Sequence, residues 1–370
     1  MHSCSFFRTF ATMKSLEQIA EIVRRGERIS PEEALILWDA PLWLLGQLAT
    51  ERKRAKSGDA LYYNRNIHVE PTNICVFNCR FCSYRRPADS PEAWDYSIEQ
   101  MEETVRTYVG KGLTELHIVG GVHPKHDLWF YTELIRRLKA ILPEVAIKAF
   151  TAVELAYMIE KSGLSYREGL EELKRAGMQA IPGGGAEIFD EKLRAEICPD
   201  KGSTAVWLEM HRTAHELGIP TNATILYGHR ESREQRIDHL RRLRELQDLT
   251  GGFNAFIPLK YRSRNNSMQE LGEVSVVEDM RMLAMSRIFL DNFDHIKAYW
   301  VMYGKSVAEM ALSFGADDID GTIDDSTKIY SMSGAEEQHP RLSIAEIERM
   351  AAGAGLRAVE RDTVYNEIKH

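Results

Sequence analysis

Three thiols stand within eight residues, Cys75-Val76-Phe77-Asn78-Cys79-Arg80-Phe81-Cys82. Three residues separate the first pair and two the second. Thiolates are soft ligands suited to iron, zinc and iron–sulfur clusters. A closed structural zinc site takes four ligands, and here the local count stops at three. The other two of the five cysteines, Cys4 and Cys198, are far away in sequence and flanked by nothing ligand-like. A [4Fe–4S] cluster on Cys75, Cys79 and Cys82 would leave one iron open to bind and activate a small molecule. An incomplete zinc knuckle is the competing arrangement. Three of five cysteines in one octet favours the cluster.

Other polar clusters fall just after strand-like segments. Gly120-Gly121-Val122-His123-Pro124 follows the second, and glycine lets backbone approach a ligand closely; a simple turn is the plainer alternative. Pro182-Gly183-Gly184-Gly185-Ala186-Glu187 follows the fourth and lacks the Gly-Lys-Ser/Thr of a phosphate loop. Glu187 is a candidate acceptor for ribose hydroxyls or an amine, or a helix cap near Asp190. Tyr227 to Glu231 follows the fifth; Tyr227 could flank an adenine, and His229 or Arg230 could meet a carboxylate. After the sixth come Arg262 and Arg264, whose guanidinium groups match a carboxylate bidentately; a surface loop is the alternative. Asp317, Asp318 and Asp320 resemble a calcium loop only loosely, because the closing glutamate is missing. His68 alternates with Glu70 and Thr72, so the three share a strand face. Tyr84 and Phe81 are rival covers for the cluster or an adenine.

These residues need a frame that brings strand ends together. Residues 14 to 60 read as helices, with Ser30-Pro31-Glu32-Glu33 a strong start signal and a second helix over 42–56. Strand candidates follow at 66–72, 114–119, 146–150, 177–181, 221–226, 253–258, 296–301 and near 315–316. Helices are predicted over 97–111, 128–141, 170–176, 207–217, 233–250, 276–290, 304–313 and 340–353. About eight strand–helix alternations predict an α/β chain built as a (β/α)8 TIM barrel, with a doubly wound sheet as the alternative. The expected division is a helical N-terminal extension over 1–60, the barrel over 61–330 and a helical C-terminal extension over 331–370. In such a barrel the C-terminal strand ends carry the chemistry, and the cysteine loop leaves the first strand there.

Composition narrows the function. Of 370 residues 44% are apolar, enough for a sizeable core, and the net charge is −8. A nucleic-acid binder normally shows a basic face, so neither DNA nor RNA is expected as partner. Three clustered thiols make no disulfide framework. No run reaches the ~18 apolar residues that a spanning helix needs. The first residues lack the features of a signal peptide, so a cytoplasmic location is expected.

The cysteine spacing resembles the radical S-adenosylmethionine (SAM) superfamily signature in full. Further blocks resemble its branch in futalosine-dependent menaquinone and deazaflavin biosynthesis. They are Asn73 to Arg86, Gly120 to Pro124, Gly183 to Ile188, Asp291 to Trp300 and Gly315 to Thr322, within roughly residues 20–365. The stretches Asn64 to Asn73 and Cys82-Ser83-Tyr84-Arg85-Arg86 favour members that add the radical to their substrate over those that start by hydrogen abstraction. The resemblance implies a radical SAM barrel with a [4Fe–4S] cluster on Cys75, Cys79 and Cys82. It also implies SAM on the open iron, with Gly120 and Gly121 serving its amino group, and a 5′-deoxyadenosyl radical. Phe81, Glu187 and Tyr227 are the other expected cofactor contacts. His68, Tyr84, Arg262 and Arg264 are the expected catalytic set. The implied substrate is an aromatic dicarboxylate, 3-[(1-carboxyvinyl)oxy]benzoate. SAM is consumed, and a flavodoxin- or ferredoxin-like protein supplies the electron.

Overall fold

The computed structural model describes residues 14–369, so Cys4 and the first 13 residues of the expected N-terminal extension lie outside the described residues. Nine strands are described: β1 (Ala60–Val69), β2 (Glu115–Ile118), β3 (Ala146–Ala149), β4 (Met178–Ala180), β5 (Thr221–Tyr227), β6 (Phe253–Lys260), β7 (His295–Ile296), β8 (Asp318–Ile323) and β9 (Arg357–Glu360). One arc runs β4-β3-β2-β1-β8 and the other β5-β6-β7, with all pairings parallel. The arcs meet at two seams, each a single parallel bridge, Ile181 to Thr221 and Lys297 to Asp318. Helices connect successive strands, as parallel crossovers require. The result is a partial TIM-type barrel with flanking helices.

Several boundaries moved for physical reasons. β1 starts at Ala60, earlier than its expected start at 66, because nearly every residue of it is buried and no clean alternation marks its beginning. The C-terminal segment carries β9 besides its helix Ile344–Gly353, and β9 pairs with residues 60–63 of β1. Helix Ala152–Lys161 was not expected. Thr151 caps it in a reciprocal box with Glu154. The helix expected near Asp190 is Glu191–Ile197, and the Asp190 side chain does cap it. Pro31 opens helix Pro31–Trp38 behind the Ser30 cap.

The inner face of the first arc is polar. The register sets His68 beside His117, and His117 beside Lys148, across β1, β2 and β3. One step down, Asn66 faces Glu115. Lys148 Nζ lies 2.7 Å from Glu115 Oε2, and both are buried. Arg361, from the segment after β9, reaches Asp318 at 2.7 Å. Lys297 pairs with Asp320. Charges buried in this way persist only when paired. Of these residues Asp320 lines a cavity at the C-terminal strand ends, together with His68 and His117.

Candidate active site

That cavity has a volume of about 270 Å³. One water needs roughly 10–15 Å³ by the same measure, so this is room for a ligand. Cys75, Cys79 and Cys82 line it together with Gly120, Gly121, Glu154, Glu187 and Lys201, and His68, His117, Tyr299 and Asp320 lie on its floor. The cysteine loop is pinned from both sides. Val76 N–H donates to the Val122 carbonyl at 2.9 Å, and Arg80 N–H to the Ile197 carbonyl at 2.8 Å. A Cβ on Gly121 would stand 2.4 Å from the Ile74 carbonyl oxygen, so the glycine pair is what lets its loop lie against the cysteine loop. Glu187 (φ +49°) and Asp320 (φ +81°) both hold left-handed backbone at the cavity wall, where strain tends to collect at functional sites.

A radical SAM superfamily model matches residues 69–243, and a model of the CofH/MqnC C-terminal region matches residues 250–369. The aminodeoxyfutalosine synthase of Thermus thermophilus is 44% identical over 95% of this chain and 95% of its own length. That of Streptomyces coelicolor is 39% identical over 95% and 94%. The chain belongs to the radical SAM superfamily. It is a radical SAM enzyme closely related to aminodeoxyfutalosine synthases. A 5-amino-6-(D-ribitylamino)uracil–L-tyrosine 4-hydroxyphenyl transferase of Methanoculleus marisnigri is 38% identical over 95% and 97%. Among solved structures, methylornithine synthase superposes with a TM-score of 0.74 at 16% identity, covering 92% of this chain and 97% of its own. That likeness concerns the fold alone, a radical-SAM-type partial barrel.

Superfamily membership implies SAM and a [4Fe–4S] cluster in general terms. The donor set fits such a group: three thiols at one end of a ligand-sized cavity. Among the described residues, the three-ligand group with atoms within 4.8 Å of one another is Asp95, His123 and His126, not the cysteines. A cubane spreads its thiolates wider than a single ion does, so the wider cysteine set suits a cluster better than one metal. Burial pushes the Cys79 thiol up to about 12, while Lys201 opposes that shift. The thiol therefore needs a metal to become a thiolate. Cys198, distant in sequence, is buried close by: the cysteine loop bonds to Ile197, and Lys201 favours the thiolate of both Cys79 and Cys198. Cys198 does not line the cavity.

The Asp95 group reads differently from a metal centre. Asp95 lies 3.5 Å from Nε2 of both His123 and His126. The Lys125 N–H donates to His123 Nδ1 at 3.1 Å, which leaves the His123 proton on Nε2. A metal-bound histidine donates its other nitrogen, the reverse of this pattern. The group ties the segment after the cysteines to the Gly120 loop.

The expected residues divide. Phe81, Tyr84, Gly120, Gly121, Glu187 and His68 all line the cavity. Both His68 nitrogens are buried without a hydrogen-bond partner, and its ring stacks on His117 at 4.3 Å. Burial brings its imidazole down to about 4, so it is neutral at pH 7. Tyr84 donates to Glu70 at 3.2 Å, and Glu70 also accepts from Thr327 and from the Lys328 N–H. Glu187 pairs with Lys201.

Tyr227, Arg262 and Arg264 do not line the cavity. Tyr227 is fully buried behind the wall, donating to Asp279 at 2.6 Å. Arg262 pairs with Glu273 at 3.2 Å and donates to the Gly334 carbonyl at 3.1 Å. The Arg264 side chain packs against Gly334. Arg230 faces Glu196 and Glu270. Each acid stands far from its arginine in sequence, or on another loop, so no local pattern announced the pairing.

Sequence reading missed Glu154, Lys201, His117, Tyr299 and Arg85. Glu154 had a signal, as the fourth residue of the Thr151 capping box. Its Oε2 accepts from Thr151 N–H at 2.7 Å, and its Oε1 reaches across to Gly120 N–H at 3.0 Å. Burial pushes it up to about 7 against those two donors. His117 had a signal too, since Glu115 and His117 alternate in a short apolar strand. Lys201 and Arg85 had none beyond their charge.

Proposed function

We propose that this radical SAM enzyme is an aminodeoxyfutalosine synthase. It joins the 5′-deoxyadenosyl group of SAM to the enol ether of 3-[(1-carboxyvinyl)oxy]benzoate. Aryl migration and loss of one carboxylate as CO2 or bicarbonate give 6-amino-6-deoxyfutalosine, and methionine leaves. The reading is carried by near full-length relationship to the two synthases, at 44% and 39% identity. It is supported by a cavity that holds three thiols and a polar floor in one enclosure.

Cys75, Cys79 and Cys82 would hold the cluster. When bound, the cluster and SAM supply a 5′-deoxyadenosyl radical. The chain's own residues bind, orient and shield. Gly120 and Gly121 offer close backbone to the amino group of SAM, and Glu154 fixes the Gly120 N–H. Glu187, paired with Lys201, suits a ribose or an amine. Phe81, Val122, Ile329 and Tyr330 keep water from the cavity walls. His68 presents a neutral imidazole whose nitrogens are free to bond an oxygen of the substrate. Tyr84, buried and held as a donor by Glu70, steadies the wall beside Arg85. The strand ring is read as a (β/α)8 barrel with residues 61–330 as its body, a helical extension before it and, after it, an extension that carries β9 besides its helix. A flavodoxin- or ferredoxin-like protein delivers the electron in the cytoplasm. Among the described residues no helix is long and apolar enough to cross a membrane.

A second reading has SAM only start the radical. A cyclic dehypoxanthine futalosine synthase of Streptomyces coelicolor is 36% identical over 95% of this chain. One experiment separates the two. Reconstituted protein, dithionite, SAM labelled on its adenosyl carbons and the enolpyruvyl benzoate are incubated, and the nucleosides are weighed by mass spectrometry. Label in a nucleoside–benzoate adduct is expected. Label solely in 5′-deoxyadenosine would overturn addition.

A further inference from the structure

We propose that Arg85 is the carboxylate anchor of the cavity. Among the described residues, the cationic side chains that line it are Arg85 and Lys201. Lys201 is already paired with Glu187. Arg85 has no acidic partner among the described residues. Its one side-chain bond runs from Nε to the Cys75 carbonyl at 3.2 Å. That bond fixes the stem and leaves the terminal nitrogens for a ligand, in the planar fork that matches a carboxylate.

The neighbouring arginines sharpen the contrast. Arg86 donates to Glu92 and to the carbonyls of Ser83 and Arg85. Arg230 and Arg262 face acids outside the cavity. Of the other ionisable groups at the wall, Asp320 is matched by Lys297, and Glu154 is held by two backbone N–H groups. Arg85 is thus the unmatched charge of the enclosure, and an anion is its complement. Arg85 is half-buried, so its terminal nitrogens, which bond no protein acceptor, are open to the two oxygens of an arriving carboxylate.

Two carboxylate sources have this chemistry, the methionyl carboxylate of SAM and a carboxylate of the aromatic substrate. The substrate source rests on the proposed function; the SAM source rests on superfamily membership alone. The test measures dissociation constants by anaerobic calorimetry on cluster-loaded protein. The ligands are SAM, decarboxylated SAM, the enolpyruvyl benzoate and its two monomethyl esters. The proteins are the wild type, Arg85→Gln and Arg85→Lys.

For one ligand, removing the carboxylate and removing the guanidinium should each weaken binding at least about tenfold. Removing both should cost little more than removing either, the mark of a direct pair. Arg85→Lys should keep a preference for acid over ester, at reduced affinity. A purely structural role for Arg85 would instead weaken acids and esters by the same factor. Equal factors for every ligand, or unchanged affinities throughout, overturn the proposal. If Arg85→Gln fails to load its cluster, Arg85→Lys decides: loss of acid affinity without loss of ester affinity supports the anchor, and parallel behaviour overturns it. If the wild type binds no enolpyruvyl benzoate, the proposed function fails. The SAM pair then decides Arg85 alone, non-additivity upholding it and additivity ending it.

Discussion

The two arcs of the barrel treat polar side chains in opposite ways. On the β4-β3-β2-β1-β8 arc, His68 points two unpartnered nitrogens into the cavity. On the β5-β6-β7 arc, comparable residues bind one another. Tyr227 donates to Asp279, Lys260 lies 2.8 Å from the same carboxylate, and Tyr303 donates to the Pro258 carbonyl at 2.9 Å. Glu231 takes the Gly228 and His229 N–H groups and the Arg236 guanidinium. What this arc shows the cavity is Thr224, Ile257 and Leu259. One arc keeps polar atoms for a ligand, and the other builds a largely apolar wall from strands braced at the back.

The largest effect expected is on the cluster. Alanine at Cys75, Cys79 or Cys82 should remove nearly all bound iron and the visible absorbance of the reconstituted protein. Cys198→Ala, a change just behind the same loop, should leave iron content unchanged. Equal iron loss in the Cys198 variant would mean that the cluster draws on a fourth thiol.

Next in size is the buried charge beneath the cavity. Glu115→Gln strands Lys148, which among the described residues has no other anion at ion-pair distance. Breaking a buried pair on one side costs about 3–5 kcal/mol, to be read as a lower denaturation midpoint. Loss below ~1 kcal/mol would show that water reaches Lys148.

The arcs themselves are compared by His68→Leu and Tyr227→Phe. His68→Leu removes no protein hydrogen bond, so stability should move by less than ~1 kcal/mol while product formation falls at least about tenfold. Tyr227→Phe takes a donor from buried Asp279, so about 1–3 kcal/mol of stability should go. Its SAM affinity should stay within about twofold. Arg262→Gln belongs with Tyr227, and the share of label released as 5′-deoxyadenosine should not rise. The reverse pattern, a stable Tyr227→Phe with weak SAM binding, would move the adenine to the second arc.

Much of the fold was legible. The helices expected over 128–141 and 233–250 are Leu128–Ile141 and Arg233–Thr250. The alternation counted the strands. β1 was misjudged because a strand buried on both faces has no period-two signature, and β9 because a short strand completing another's edge carries little pattern of its own. In the site, the cysteines and glycines were legible because their chemistry depends on spacing along the chain. The second-arc residues were overread, since Tyr227 and Arg262 find their partners 52 and 11 residues away. His68 was legible by its step of two to Glu70 and Thr72, which puts the three on one face of the strand.

The smallest effect concerns Glu70 on that face, and pH reads it. Burial pushes this carboxyl up to about 7, and donors from Thr327, the Lys328 N–H and Tyr84 restrain the rise. A folded value above the ordinary 4.5 means that the folded state holds the proton more tightly. The resulting stabilisation is fully present below about pH 4.5 and is lost as pH rises through about 7. At one unit per ~1.4 kcal/mol the whole window spans at most about 3 kcal/mol. Other carboxylates with lowered values, such as Glu115 beside Lys148, give the opposite slope, so the wild-type curve alone mixes both. The difference between wild type and Glu70→Gln isolates the term. Stability measured from pH 5 to pH 8 should fall more steeply in the wild type, and the curves should separate by roughly 1–3 kcal/mol. Parallel curves would mean that Glu70 is ionised throughout. The Tyr84 proton would then face a full negative charge at every pH, and the cavity wall beside Arg85 would carry one more anion than the first arc is otherwise read to hold.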